Sequence, residues 1–334
     1  MDEAVRQRLF GWQHAFDHPA TIWLSGGILS VLLLAIVIVL ALRFTDKLSD
    51  STYHELKKRV LSWCVLAPLM VGPVLLGAAC TMGAVALLSL LCFREFSRAT
   101  GLFRERLVSG LVVLCMLAMT FATFDHWYGL FTALIPLGVV LIAGFAVIAD
   151  QPTGYIQRTA LGIFSLVFFG ACFGHLAYFA NDVDYRPMVL LLLVAVELND
   201  VFAYVSGRLF GRRKLLPNTS PNKTWAGAIG AMILSMGLVL LCGPLVFAGT
   251  VVNQTNHLVT LGVIISIGGQ LGDLMLSSIK RDLGIKDFAA TIPGHGGLLD
   301  RFDSLLLVAP AAFHYIGYLR GIGLYEPQRI FSGG

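Results

Sequence analysis

The sequence predicts an all-α, polytopic integral membrane protein of about ten transmembrane helices. Three observations carry that expectation. Of 334 residues, 57% are hydrophobic and only 13% charged, roughly half the ~25% charged share of soluble globular chains. The mean hydropathy is +0.78. Apolar runs of about 20 residues, the length that crosses the hydrocarbon core, recur from end to end. The same arithmetic excludes a disordered chain, a collagen or solenoid, and a nucleic-acid binder. The net charge of +4 and pI of about 8.8 come from loop charges, not from a basic domain.

The runs follow in order. The first, residues 21–42, comes after an acidic start with Asp2 and Glu3. It lacks the short basic lead of a cleavable signal and is expected to stay as an anchor. The stretch around Leu9, Phe10, Trp12 and Phe16 before it fits an interfacial segment or frayed chain equally. Runs 60–76 and 79–93 are interrupted by Pro68, Gly72, Pro73 and Gly77, a pattern that two crossing helices or a re-entrant pair would both give. Runs 107–124, 128–148 and 159–179 are nearly free of ionisable side chains, and His175 in the last reads as a packed core residue. Runs 188–207, 225–249, 257–279 and 302–320 complete the ten.

Loop charge tests the count. With ten spans, 19 of the 24 Lys and Arg fall on one side and 5 on the other, and a missed or invented span would scramble that asymmetry. The 19-residue side is expected to be cytoplasmic. All six cysteines lie in apolar runs without ligand spacing and read as free thiols. Residues 1–187 are expected to form an N-terminal transmembrane region and 188–334 a C-terminal catalytic one, because the polar intrusions fall in the latter.

Run seven carries Glu197, Asp200, Tyr204 and Arg208 on one helix face, with Asp200 about 10 Å inside the cytoplasmic boundary. Run nine repeats this with Asp273, Ser277, and Lys280 or Arg281. Run ten opens with Asp300 and Asp303 after the Gly-rich segment Pro293-Gly294-His295-Gly296-Gly297, whose backbone N–H groups suit phosphate oxygens. A lone acidic residue at a membrane helix end is often merely interfacial, and Asp300 with Asp303 could simply answer the helix dipole. Three carboxylates at one depth, Asp200, Asp273 and Asp300, repel one another unless a cation neutralises them. Oxygen ligands of this kind suit Mg²⁺.

The loop from 208 to 224 carries five positive and no negative residues. The positive-inside rule accounts for Arg212, Arg213 and Lys214. It explains less well Lys223, framed by Ser220, Thr224 and Gly227. Carboxylates for Mg²⁺ together with Lys, Arg and backbone amides are the parts that hold a polyphosphate and spread transition-state charge.

Residues 277–303 read S-S-I-K-R-D-L-G-I-K-D-F-A-A-T-I-P-G-H-G-G-L-L-D-R-F-D. This resembles the full signature of the phosphatidate cytidylyltransferase (CDP-diacylglycerol synthase) family. The fixed elements are Ser277, Lys280-Arg281, Lys286-Asp287, Ala289, Pro293, His295-Gly296-Gly297, Asp300-Arg301 and Asp303. The stretch from Asn199 to Tyr204 with Gly207, and the stretch from Ser220 to Trp225, resemble two further blocks of that family. The resemblance covers about residues 190–320, the earlier half matching only as hydrophobic spans.

It implies transfer of a cytidylyl group from CTP to phosphatidic acid at a Mg²⁺-dependent site facing the cytoplasm. By the same resemblance, Asp273 and Asp300 would ligate metal, and Asp200 would ligate it or orient a ligand. Lys223, Lys280, Arg281, Lys286 and Arg301 would hold phosphates, Ser220 and Thr224 would donate hydroxyls, and His295, Gly296 and Gly297 would shape the phosphate loop beside Asp287. Asp273, Asp300, Lys280, Arg281 and Lys223 are the expected catalytic set. A second, monovalent cation and a homodimer are compatible with this. Two positions depart from the pattern: Ala226 follows Trp225 where the family usually has Glu, and Leu276 stands where many bacterial relatives carry Glu.

A CTP-dependent enzyme acting on a different membrane lipid, either a lipid kinase or a variant phospholipid cytidylyltransferase, is the alternative enzyme. A transporter with cation-binding Asp200 and Asp273 is the non-enzyme alternative, and the phosphate-handling loops on one side weigh against it. A bacterial inner membrane is the expected location.

Overall fold

A computed structural model describes residues 3–45, 50–294, 296–322 and 329–333. The helices are α1 (Glu3–Phe10), α2 (Pro19–Phe44), α3 (Asp50–Leu76), α4 (Ala78–Thr100), α5 (Arg106–Phe124), α6 (Tyr128–Ala146) and α7 (Tyr155–Ser165). They continue as α8 (Phe173–Tyr178), α9 (Tyr185–Phe210), α10 (Trp225–Val246), α11 (Thr255–Asp282), α12 (Leu299–Phe302) and α13 (Leu305–Arg320). Among the described residues, ten helical segments are long and apolar enough to cross a membrane, α7 joining α8 and α12 joining α13. The expected all-α membrane architecture is the observed one, and the six cysteines are free thiols.

The doubtful pair, 60–76 and 79–93, forms two full helices of 27 and 23 residues, each longer than the ~20 residues a crossing needs. The chain turns between them at Gly77, whose φ of 139° favours glycine. A Cβ there would lie 2.4 Å from the Leu9 carbonyl oxygen, so the α1 segment closes directly over this turn.

The first half of α9 is apolar and buried on nearly every side, which marks it as the central helix of the bundle. Only three residues of α2 are buried, so α2 lies at the periphery. The termini agree with an even number of spans. Arg8 donates to the Asn181 carbonyl at 2.8 Å, and Arg320 at the end of α13 pairs with Asp182 at 2.8 Å, both where α9 begins. His175, read as a core residue, is buried, its Nδ1 2.8 Å from the Ala171 carbonyl.

One stretch expected as a plain loop is ordered. Lys214–Leu216 (β1) and Ser220–Thr224 (β2) pair antiparallel, with Lys214 opposite Thr224 and Leu216 opposite Ser220. The turn between them holds Pro217 and Asn218, residues that preset turn geometry. The hairpin crosses the end of the bundle where the basic loops lie.

Candidate functional site

Small residues set the helix spacing at that end. A Cβ on Gly227 of α10 would lie 2.6 Å from the Ala203 carbonyl of α9, so the two backbones touch there. A Cβ on Gly272 of α11 would lie 2.5 Å from the Asp303 carbonyl, which brings Asp273 beside the turn that starts the last span. Asp200, Asp273 and Asp303 lie within electrostatic reach of one another. Glu197 and Asp200 also lie within reach of Arg301. Arg208 donates to the Tyr204 hydroxyl at 3.0 Å, as residues one helical turn apart should.

Lys223, from β2, reaches across to Asp273: Nζ lies 2.5 Å from Oδ2, with the two side chains 20% and 23% exposed. Ser277 donates to the other Asp273 oxygen at 3.1 Å. The pair is largely buried, and it joins the hairpin to α11.

Asp300 is in a different position. Its Oδ1 accepts Lys280 Nζ at 2.7 Å, with side chains only 9% and 3% exposed. Its Oδ2 accepts the Phe288 and Gly297 amides, each at 3.0 Å. One buried carboxylate thus ties the end of α11 to the signature loop at two points. Lys280 is correspondingly spent on Asp300 and not free at the surface. Among the described residues no group of three His, Cys, Asp or Glu side chains stands ready to hold a metal ion. The trio Asp200, Asp273 and Asp300 expected around one ion is therefore not gathered, because Asp300 faces its lysine and two amides; Asp303 lies near the other two instead.

The remaining expected residues divide similarly. Thr224 is buried and caps α10, its Oγ1 accepting the Gly227 amide at 3.1 Å. Ser220 begins β2, half-buried. Arg281 donates to the Thr219 carbonyl at 3.3 Å and the Ile285 carbonyl at 3.2 Å, linking the hairpin turn to the signature loop. Lys286 and Asp287 are exposed on that loop. A Cβ on Gly296, where φ is 83°, would sit 3.1 Å from Asp287 Oδ1, and one on Gly297 would sit 2.6 Å from a Glu95 oxygen. Gly297 leaves room for the Glu95 carboxylate that a Cβ would crowd, and Gly296 supplies the positive φ. His295 lies outside the described residues.

Sequence reasoning missed Glu95. This buried residue of α4 accepts the Thr291 hydroxyl at 2.6 Å, the Leu298 amide at 3.0 Å and the Leu299 amide at 2.8 Å. It supplies the cap that α12 lacks locally. Flanked by Arg94, Ser97 and Arg98, it reads in sequence as an ordinary charge at a helix end, and its burial was not signalled. Ser62 of α3 adds a bond to the Pro293 carbonyl at 2.8 Å. The first half of the chain therefore holds the signature loop in place.

A model of the cytidylyltransferase family matches residues 57–319. The chain belongs to that family. It is 34% identical over 244 residues to the uncharacterized protein YnbB of Escherichia coli strain K12, covering 71% of this chain and 79% of YnbB. It is 37% identical over 180 residues to a phosphatidate cytidylyltransferase of Staphylococcus haemolyticus, covering 53% of this chain and 66% of that one. It is 34% identical over 172 residues to the phosphatidate cytidylyltransferase of Staphylococcus aureus strain COL, covering 51% and 63%. The family match begins within α3 and so takes in Glu95 and Ser62, beyond the half of the chain where the signature blocks lie.

Proposed function

We propose that this cytidylyltransferase moves a cytidylyl group from CTP to phosphatidate, giving CDP-diacylglycerol and pyrophosphate. The observation that carries the reading is the Lys223–Asp273 pair. It is largely buried at the end of the bundle that carries the basic loops, beside a signature loop locked by Lys280, Asp300 and Glu95.

In the reaction, an oxygen of the lipid phosphate attacks the α-phosphorus of CTP. A new P–O bond forms as the bond to the β-phosphate breaks, and pyrophosphate leaves with the charge. Lys223 exchanges Asp273 for a phosphate oxygen. Arg301 and Lys286 face the remaining phosphates, while Arg281 keeps hairpin and loop in register. Gly296, Gly297 and Asp287 shape the loop's approach. Lys280 acts through Asp300, as a positioning residue.

Asp200 and Asp273 carry the hard oxygen donors that suit Mg²⁺, and the mutual repulsion of Asp200, Asp273 and Asp303 is what a divalent cation relieves. Asp200 and Asp273 would hold the ion, with Asp303 nearby and Asp300 engaged elsewhere. Bound there, Mg²⁺ supplies neutralisation of phosphate charge. The basic loops support a reading in which this end faces the cytoplasm, with the protein in a bacterial inner membrane.

The test is incubation of purified protein with labelled CTP, Mg²⁺ and a panel of phospholipid acids. CDP-lipid and pyrophosphate are expected. CDP with a newly phosphorylated lipid would make the protein a kinase, and no CTP turnover with any lipid would overturn the reading.

A further inference from the structure

Between α3, α4 and α9 lies a cavity of about 140 Å³. Its α4 wall is formed by Thr81, Ala84, Leu88 and Leu91, successive turns that rise about 15 Å. Thr81 is the polar residue among its lining side chains, and its hydroxyl is already given to the Pro73 and Gly77 carbonyls at 3.1 and 3.0 Å. The space offers no hydrogen bond and suits hydrocarbon. Leu69 and Leu87 on its rim are exposed, on the flank that meets lipid.

What distinguishes this cleft from a packing defect is where it lies. Leu298 and Phe302 line it along with Leu91, and these two residues flank Asp300 in the segment that Glu95 and Lys280 hold. A chain lying along the cleft would deliver the group at its head to the phosphate-handling loop.

We infer that this cleft holds one acyl chain of the lipid substrate, with Ala84 setting the room available to it. The inference rests on the proposed reaction, since the headgroup must be the phosphate that attacks CTP.

Ala84→Trp narrows the cleft from the α4 side. The readout is the ratio of kcat/KM for dioleoyl over dihexanoyl phosphatidate, expected to fall about tenfold, the discrimination that a few buried methylenes give. An unchanged ratio would overturn the inference. Ala84→Leu, a smaller filling, serves if the tryptophan variant does not fold. A second measurement does not need turnover. Phosphatidate carrying a mid-chain diazirine, photolysed with the full chain in nanodiscs, is expected to label residues 81–91 and to be competed by unlabelled phosphatidate. Labelling confined to other helices would remove the cleft as the acyl site. A wild-type protein that makes no CDP-lipid would instead overturn the substrate reading, and the labelling result would still decide the cleft.

Discussion

The Leu299 amide donates to Glu95 Oε2 at 2.8 Å across 204 residues of sequence. It joins the fourth helix to the first turn of the last span. With the Leu298 amide and the Thr291 hydroxyl on the other oxygen, one carboxylate fixes both the signature loop and the helix that follows it. Glu95→Ala strands the buried Leu299 amide at a cost of about 1–3 kcal/mol and frees the partly exposed Leu298 amide and Thr291 hydroxyl to turn to water. CDP-lipid formation is expected to fall at least tenfold together with the thermal midpoint. Glu95→Gln, which keeps one carbonyl acceptor, should lie between. Wild-type turnover in Glu95→Ala would mean that the loop is ordered by other contacts.

Asp273→Asn is expected to abolish CDP-lipid formation while leaving the fold intact. Its ion pair with Lys223 is only 20% and 23% exposed, and asparagine keeps a carbonyl oxygen that can still accept from the lysine. Equal thermal midpoints with turnover below detection are the expected combination. Retained turnover would remove Asp273 from the reaction.

Lys280 and Asp300 should behave in the opposite way. Lys280→Met leaves a buried carboxylate without its cation, a change that costs about 3–5 kcal/mol in water-soluble proteins. The variant should lose folded yield and activity together, and adding Asp300→Asn should recover part of the yield without the activity. Size-exclusion profiles of the single and double variants check this; an Asp300→Asn addition that worsens the yield would contradict the pairing.

Chelation with EDTA is expected to stop CDP-lipid formation and added Mg²⁺ to restore it, with Asp200→Asn needing more Mg²⁺ for half-maximal rate. Titration of both proteins under saturating CTP checks it. An identical Mg²⁺ dependence in the variant would place the ion away from Asp200.

Leu276 stands where many relatives are expected to carry Glu, yet its side chain is fully buried among apolar neighbours. Leu276→Glu is expected to lower folded yield, because a carboxylate there has been given no partner. Improved activity in that variant would show that the position reaches the site after all.

Much of this protein was legible without coordinates. A membrane imposes long apolar runs and segregates positive charge, so the ten spans and their alternation follow from composition and order alone. The signature blocks, local in sequence, marked Asp273, Asp300, Lys223 and the glycine loop as one constellation. Periodicity placed Asp200 and Tyr204 on one face because a helix repeats every 3.6 residues. What chain order could not convey is which partner each charged group meets. Asp300 turns to Lys280 and two amides, Lys223 crosses from a hairpin to Asp273, and Glu95 arrives from a helix nearly two hundred residues earlier, as do Ala84 and Leu88 along the lipid-facing cleft. Those choices belong to packing. Helices approach only where glycines such as Gly227 and Gly272 leave room, and a buried carboxylate is stable only beside the donors that the approach supplies.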